Sequence, residues 1–352
     1  MSTRQIIDTF EQWRSEYRRL VLATVYHTEG STYSKAGHRI LIADNGDYQG
    51  LVSGGCLEGD LAERAGKVIA DGKTRLVTYD MRDDADELWG LGIGCNGLIE
   101  IMLQRLDPAS GYEPYQTMAN CLQGQSPAVC ATVIESDDKN IMAGTTLIVD
   151  ADSETLLPAQ AVDHCRPMLT EHCLETAQQG KTRLITHELP NGQLTVLYSR
   201  LLPVPRMLLL GAGLDAIPVA GIADQLGWRI TIMDHRQAYL EKAGFDKLPN
   251  AFHIKPDKLA AATDLTQFSA AIVMSHHLAT DRTYLKQLAP GSIPYIGVLG
   301  PRTRRDRLIE DLSREGIAGL ERIRGPIGLD IGAGCAESIA LSILAEAYQE
   351  IH

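Results

Sequence analysis

Apolar residues at Ile6, Ile7, Phe10, Trp13 and Tyr17 recur at helical spacing among acids and arginines, so the chain opens on an amphipathic helix. The pattern then changes period. Leu20 to Val25 is a near-continuous apolar run of strand type, followed by a polar loop through His27 and Ser31. Ile40 to Ala43, the turn residues Asn45-Gly46 and the return through Leu51-Val52-Ser53 predict a hairpin. A helix is expected from about Leu57 to Ala70, a strand at Val77 to Tyr79, and a closing strand through Ile99 to Leu103.

The same order recurs. Ala23-Thr24-Val25 is echoed by Ala131-Thr132-Val133, and the stretch Gly72 to Thr78 by Gly180 to Thr186, both at an offset of 108 positions. Gln104-Arg105-Leu106-Asp107-Pro108 corresponds more loosely to Ser199-Arg200-Leu201-Leu202-Pro203. Residues 1–108 and 109–204 therefore read as two divergent copies of one α+β unit, with coincidence as the alternative. The first copy carries two motifs that the second lacks: Gly54-Gly55-Cys56-Leu57-Glu58 and Gly92-Ile93-Gly94-Cys95-Asn96-Gly97. A motif that a shared fold does not need is better explained by a site. Cys56 also precedes a predicted helix start, a setting that favours thiol reactivity.

From Arg206 the pattern becomes that of an α/β domain. A short apolar strand runs into Gly211-Ala212-Gly213-Leu214-Asp215-Ala216, a helix follows through Leu226, and a second strand ends at Asp234, twenty-one residues past Gly213. Strand, glycine turn, helix and terminal acid together meet the context of the dinucleotide fingerprint, and predict a Rossmann-like parallel sheet over residues 205–352. Gly211 would make the tight turn and Gly213 would admit a phosphate to the helix N-terminus. Asp234 could bind a ribose diol, although His235-Arg236 follow directly. Further strands are expected at Ala270 to Met274 and Tyr295 to Leu299. They place His276, His277 and the arginine run Arg302, Arg304, Arg305, Arg307 at carboxyl ends, where ligands bind in such sheets. Guanidinium forks suit phosphate oxygens; solvated helix starts are the plainer alternative at both places. Cys335 closes a last glycine-rich turn and reads as a small buried hydrophobe more readily than as a third reactive thiol.

Composition narrows the classes. A net charge of −12 over 352 residues argues against nucleic-acid binding. No stretch approaches the eighteen apolar residues of a membrane span, and the start MSTRQIIDTFEQW lacks a secretory apolar core. Seven cysteines without regular spacing fit a reducing cytoplasm better than a disulfide framework. Cys165 and Cys173, near His164 and His172, come nearest to a ligand cluster, in a stretch of helical pattern.

These residues carry a resemblance. The chain resembles the XdhC/CoxI family of xanthine dehydrogenase accessory proteins in Gly30-Ser31-Thr32, Gly37-His38-Arg39 and Ser53 to Glu58. The likeness continues in Trp89 to Gly97, Asp234-His235-Arg236, Gly297 to Arg302 and Pro326 to Ala333. It departs at Tyr33 and Ser34, where members usually have proline and arginine, and at Gly334-Cys335, where a threonine-proline pair is common. The resemblance implies a chaperone rather than a catalyst. Such a protein binds the molybdenum cofactor (molybdopterin, in mono- or dinucleotide form), helps it gain its sulfido ligand with a cysteine desulfurase, and delivers it to a molybdenum hydroxylase client. Cys56 and Cys95, on loops with Gly54, Gly55, Gly94 and Asn96, would then meet the molybdenum or handle sulfur. The arginine run and the Gly211 turn, flanked by Asp234 and His276, would hold the phosphates. A homodimer is the common assembly for this kind of protein.

Two other classes stay open on the residues alone. An NAD(P)-dependent oxidoreductase would use Asp234 and a His276 or His277 proton donor, but gives the cysteines no place. A redox-responsive scaffold would pair Cys56 with Cys95. A nucleotidyltransferase ranks below both, because no triphosphate loop or closely spaced carboxylates for magnesium are evident.

Overall fold

The computed structural model describes residues 2–16, 18–82 and 97–351. The chain forms two compact units, Met1–Pro203 and Val204–His352.

The first unit opens on helix α1 (Thr3–Ser15). A capping box between Ser2 and Gln5 starts it, and Ile6, Ile7, Phe10 and Trp13 are its buried face. Strands β1 (Leu20–Gly30), β2 (Arg39–Ala43), β3 (Tyr48–Gln49), β4 (Arg75–Asp80) and β5 (Gly97–Leu106) form an antiparallel sheet of order β3-β2-β1-β5-β4, with helix α2 (Glu58–Asp71) between β3 and β4. After helix α3 (Tyr115–Gln123) the plan repeats. Strands β6 (Ala128–Ser136), β7 (Thr146–Asp150), β8 (Thr155–Leu157), β9 (Arg183–Leu189) and β10 (Gly192–Leu201) take the order β8-β7-β6-β10-β9, with helix α4 (Arg166–Gln179) in the place of α2.

The internal duplication extends to irregularities. The β1–β5 ladder skips Tyr26 and the β6–β10 ladder skips Ile134, so the two bulges fall 108 positions apart. Tyr26 and Ile134 share one small core with Met102 and Leu197, from the closing strand of each copy. Flanking contacts are reciprocal. A methyl group built on Gly37 would lie 3.1 Å from Thr182 Oγ1, while one on Gly144 would lie 3.3 Å from Thr74 Oγ1. Each copy thus presents the same patch to the other, the self-complementary contact of a two-fold pair.

Two local expectations shift. Where a polar loop through His27 is expected, β1 continues to Gly30, paired with β5 beyond the bulge at Tyr26. The hairpin returns at Tyr48–Gln49 and not at Leu51 to Ser53. Gly50 runs against Ile40 and ends the ladder, after which Val52 turns inward under α2.

The second unit is a six-stranded parallel sheet of β11 (Arg206–Leu210), β12 (Arg229–Asp234), β13 (Ala251–His253), β14 (Ala270–Val273), β15 (Tyr295–Val298) and β16 (Ile323–Arg324). Its order is β13-β12-β11-β14-β15-β16, the Rossmann order, with the switch point between β11 and β14. Successive β11 side chains point to opposite faces. Met207 and Leu209 join the core with helices α5 (Ala216–Gln225) and α9 (Ala336–Ile351), while Leu208 and Leu210 join that with α7 (Leu278–Leu288) and α8 (Arg302–Arg314). Helix α6 (Gln237–Ala243) follows β12. No helix among the described residues is long and apolar enough to cross a membrane.

Candidate functional site

In the first unit the site is the loop from Val52 to Glu58. Gly54 and Gly55 adopt φ of +77° and +117°, which glycine reaches without strain. Glu58 is fully buried at the first turn of α2. The Val52 and Ser53 N–H groups donate to its Oε1 at 2.7 and 3.0 Å. The Ser53 hydroxyl and the Gly55 N–H donate to its Oε2 at 2.6 and 3.0 Å. Burial alone would raise this carboxyl, but the hydrogen bonds from Ser53 and Val52 outweigh it and hold Glu58 below the usual carboxylate range. The loop is wrapped round its own acid, and Cys56 is left exposed at the rim. Sequence reading singled out the glycines and the cysteine and missed Glu58 as the organising residue. The signal was there, in an acid two residues past the thiol and one turn from a serine. Gly94, Cys95 and Asn96 lie outside the described residues.

In the second unit the candidates gather at the carboxyl ends of β11, β12, β14 and β15. Gly211 has φ of +126°, and a Cβ there would lie 2.4 Å from the Met274 carbonyl oxygen, so only glycine fits where the β11 turn meets β14. Asp234 ends β12 as expected but is wholly buried. Its carboxylate accepts from the Ala212 N–H at 2.7 Å, the Arg236 N–H at 2.8 Å and the Arg236 guanidinium at 2.8 and 3.0 Å. Burial would raise Asp234, yet those bonds lower it below the ordinary value. In the structure it fastens the glycine turn to the end of β12.

His276 sits at φ +60°, an uncommon conformation for a side-chain-bearing residue. Its Nε2 lies 2.8 Å from Asp215 Oδ2, making a half-exposed imidazole–carboxylate pair at the switch point. Asp215 stands at the N-cap of α5, beside Gly213. Nothing in the local pattern joins it to a residue sixty-one positions away. His277 caps α7 and lies within hydrogen-bond distance of Thr280 through Nδ1, 2.9 Å from Oγ1.

The arginine run divides. Arg304 reaches under the sheet end to Asp281 at 2.5 Å, and Asp281 also accepts from the buried Ser275 hydroxyl. Arg305 pairs with Asp306, while Arg302 and Arg307 point outward on the first turns of α8. Cys335 is exposed before α9, 3.3 Å from Ser338 Oγ. Cys165 and Cys173 belong to the second sheet's core, where burial pushes the Cys173 thiol up to about 12. Among the described residues no group of three His, Cys, Asp or Glu could hold a metal ion.

A duplicated antiparallel unit with a glycine-set thiol, followed by a Rossmann-type unit, defines the class. Residues 13–80 match the XdhC and CoxI family, and residues 207–347 match the XdhC Rossmann domain. The chain is 30% identical over 331 residues to a probable xanthine dehydrogenase subunit of Bacillus subtilis, covering 94% of this chain and 92% of that one. It is 23% identical to the molybdenum cofactor insertion chaperone PaoD of Escherichia coli, over 93% of this chain and 81% of that one. A crystal structure of a xanthine dehydrogenase from Bacillus halodurans superposes with a TM-score of 0.76 at 26% identity, over 100% of this chain and 96% of that one. The chain belongs to the XdhC/CoxI family.

Proposed function

We propose that this protein is a molybdenum-cofactor chaperone that receives the cofactor, assists its sulfuration and delivers it to a molybdenum hydroxylase such as xanthine dehydrogenase. The observation that carries this reading is its family likeness, which runs through nearly the whole chain and takes in a protein named for molybdenum cofactor insertion. The role is that of a carrier, and the cofactor is cargo. Cys56 suits the metal end: it is an exposed soft donor on a loop fixed by four hydrogen bonds to Glu58. Cys95 is assigned the same duty. Arg302, at the exposed start of α8, and the turn at Gly211 and Gly213 suit the cofactor's phosphate, in the mono- or dinucleotide form. Arg304 and Asp234, each tied to a partner within the chain, position these elements. A cysteine desulfurase as sulfur donor, a homodimer and a cytoplasmic location complete the reading, with residues 1–108, 109–204 and 205–352 as its three parts.

The test is purification from a molybdenum-replete, cofactor-producing host, with molybdenum and pterin quantified per chain. Near-stoichiometric pterin that is lost in the Cys56→Ala, Cys95→Ala double variant supports the carrier and its thiols. Pterin absent from every preparation, or undiminished client activation by the folded double variant, overturns them respectively.

A further inference from the structure

A cavity of about 370 Å³ opens where the two copies of the first unit meet. Its volume falls within the range of small-molecule sites. The ionisable residues that line it are His38, Arg39, Arg200 and the buried phenol of Tyr115, and no carboxylate is among its described walls. Arg39 donates to the Ser199 hydroxyl at 2.5 Å, while its buried Nε has no acceptor among the described residues. Arg200 donates to the Gly180 carbonyl at 3.2 Å. Neither arginine has a carboxylate within ion-pair distance among the described residues, in a chain of net charge −12. Burial, with the neighbouring positive charges added, holds His38 below the ordinary imidazole value. Thr3, on the first turn of the thirteen-residue α1, brings the positive end of a helix dipole to the same wall.

The chain contains its own control. The strand registers make Thr146 the counterpart of Arg39, and Arg105 and Asp107 the counterparts of Arg200 and Leu202. On that side the arginine is neutralised by Asp107 at 2.7 Å, and Thr146 donates locally to the Gly144 carbonyl at 2.9 Å. The same fold therefore forms with one arginine, and with that arginine paired. On the cavity side the second copy has Leu202 in place of the aspartate, and the first copy has Arg39 in place of the threonine.

We propose that this cavity is a binding site for a small organic phosphate monoester. Arg39, Arg200 and the start of α1 would take the phosphate, and the apolar wall of Met118, Leu122, Leu201 and Leu202 would take a compact hydrophobic or planar body. The two guanidinium groups favour a dianion over a carboxylate. The assignment stands independently of the cofactor-carrying role.

The test is isothermal titration of the full chain with phenyl phosphate, against benzoate and inorganic phosphate. Phenyl phosphate is expected to bind saturably and more tightly than either. The Arg200→Gln and Leu202→Asp variants, with melting curves to confirm folding, are expected to weaken it by about tenfold or more, since each removes charge-assisted contacts. Leu202→Asp restores the counter-ion seen at Asp107, so a folded protein that has lost binding is its expected outcome. An Arg314→Gln variant, at an exposed arginine paired with Glu310, is expected to bind unchanged. No saturable binding to wild type, unchanged affinity in both cavity variants, preference for benzoate, or loss of binding in Arg314→Gln alone would each overturn the proposal.

Discussion

Replacing Glu58 by Gln keeps the side chain's volume and removes its charge. Four donors converge on this carboxylate, three of them backbone N–H groups. A glutamine can keep its oxygen on the Val52 and Ser53 amides and turn its NH2 toward Ser53 and Gly55. The Ser53 hydroxyl can then reverse and accept, but the Gly55 N–H faces another donor. One hydrogen bond is lost outright, and the remainder lose their ionic assistance, each such bond contributing about 1.5–3 kcal/mol. Water can reach the exposed Gly55, so the net expected loss is about 2 kcal/mol. The pH dependence carries the sign. Glu58 titrates below its unfolded value, so its contribution is fully present above about pH 4.3 and is lost as pH falls through the lowered folded value. The gap between wild type and E58Q should therefore be widest near neutrality and narrow below about pH 4. Urea unfolding of the full chain, followed by circular dichroism across that range, measures it. A gap below about 0.5 kcal/mol at neutral pH, or one that does not shrink on acidification, refutes the view that Glu58 holds the loop as an anion.

Other substitutions test the second unit and the thiols. Gly211→Ala combines a disfavoured φ with a Cβ 2.4 Å from the Met274 oxygen and should cost more than about 2 kcal/mol; a melting point equal to wild type would remove that contact from the account. His276→Gly should leave stability equal or higher by up to about 1 kcal/mol, because it releases the φ of +60°, whereas a clear loss would mean that the pair with Asp215 outweighs the strain. Arg304→Met strands Asp281, which is 1% exposed, and should destabilise by about 2 kcal/mol or more; an unchanged chemical denaturation midpoint would show Asp281 to be satisfied by Ser275 alone. In native protein, iodoacetamide should label Cys56 and Cys335 well before Cys121, Cys130, Cys165 and Cys173; peptide mapping that found Cys173 labelled as early would contradict its burial.

Much of the fold was legible because burial leaves a periodic trace. The offset of 108 between Thr24 and Thr132 led to two sheets of one strand order, and the run from Arg206 through Asp234 led to a Rossmann-type sheet. Periodicity says which residues are inside, not whom they meet. It located the hairpin return at Leu51 to Ser53 because Val52 is apolar, when Val52 is buried by α2 and not by the ladder. It also could not distinguish the two fates of a polar residue at a strand end. Asp234 looked available to a ligand, yet it commits its oxygens to Ala212 and Arg236. Asp215 drew no notice and is the residue that meets His276. The arginine run was visible as charge, but its division between Arg304 turned inward and Arg302 turned outward depends on Asp281 arriving from another helix. The cavity at Arg39 was beyond reach for the same reason: its walls come from both copies.

The paired sheets carry a consequence for how this protein can change. In a symmetric assembly of identical subunits, any substitution at the contact is made on both sides at once, so a residue harmful on one side cannot be tolerated for its use on the other. Here the two halves are covalently joined and separately encoded. Position 39 is arginine where position 146 is threonine, and position 202 is leucine where position 107 is aspartate. Linkage in one polypeptide frees one half to diversify while its twin preserves the architecture.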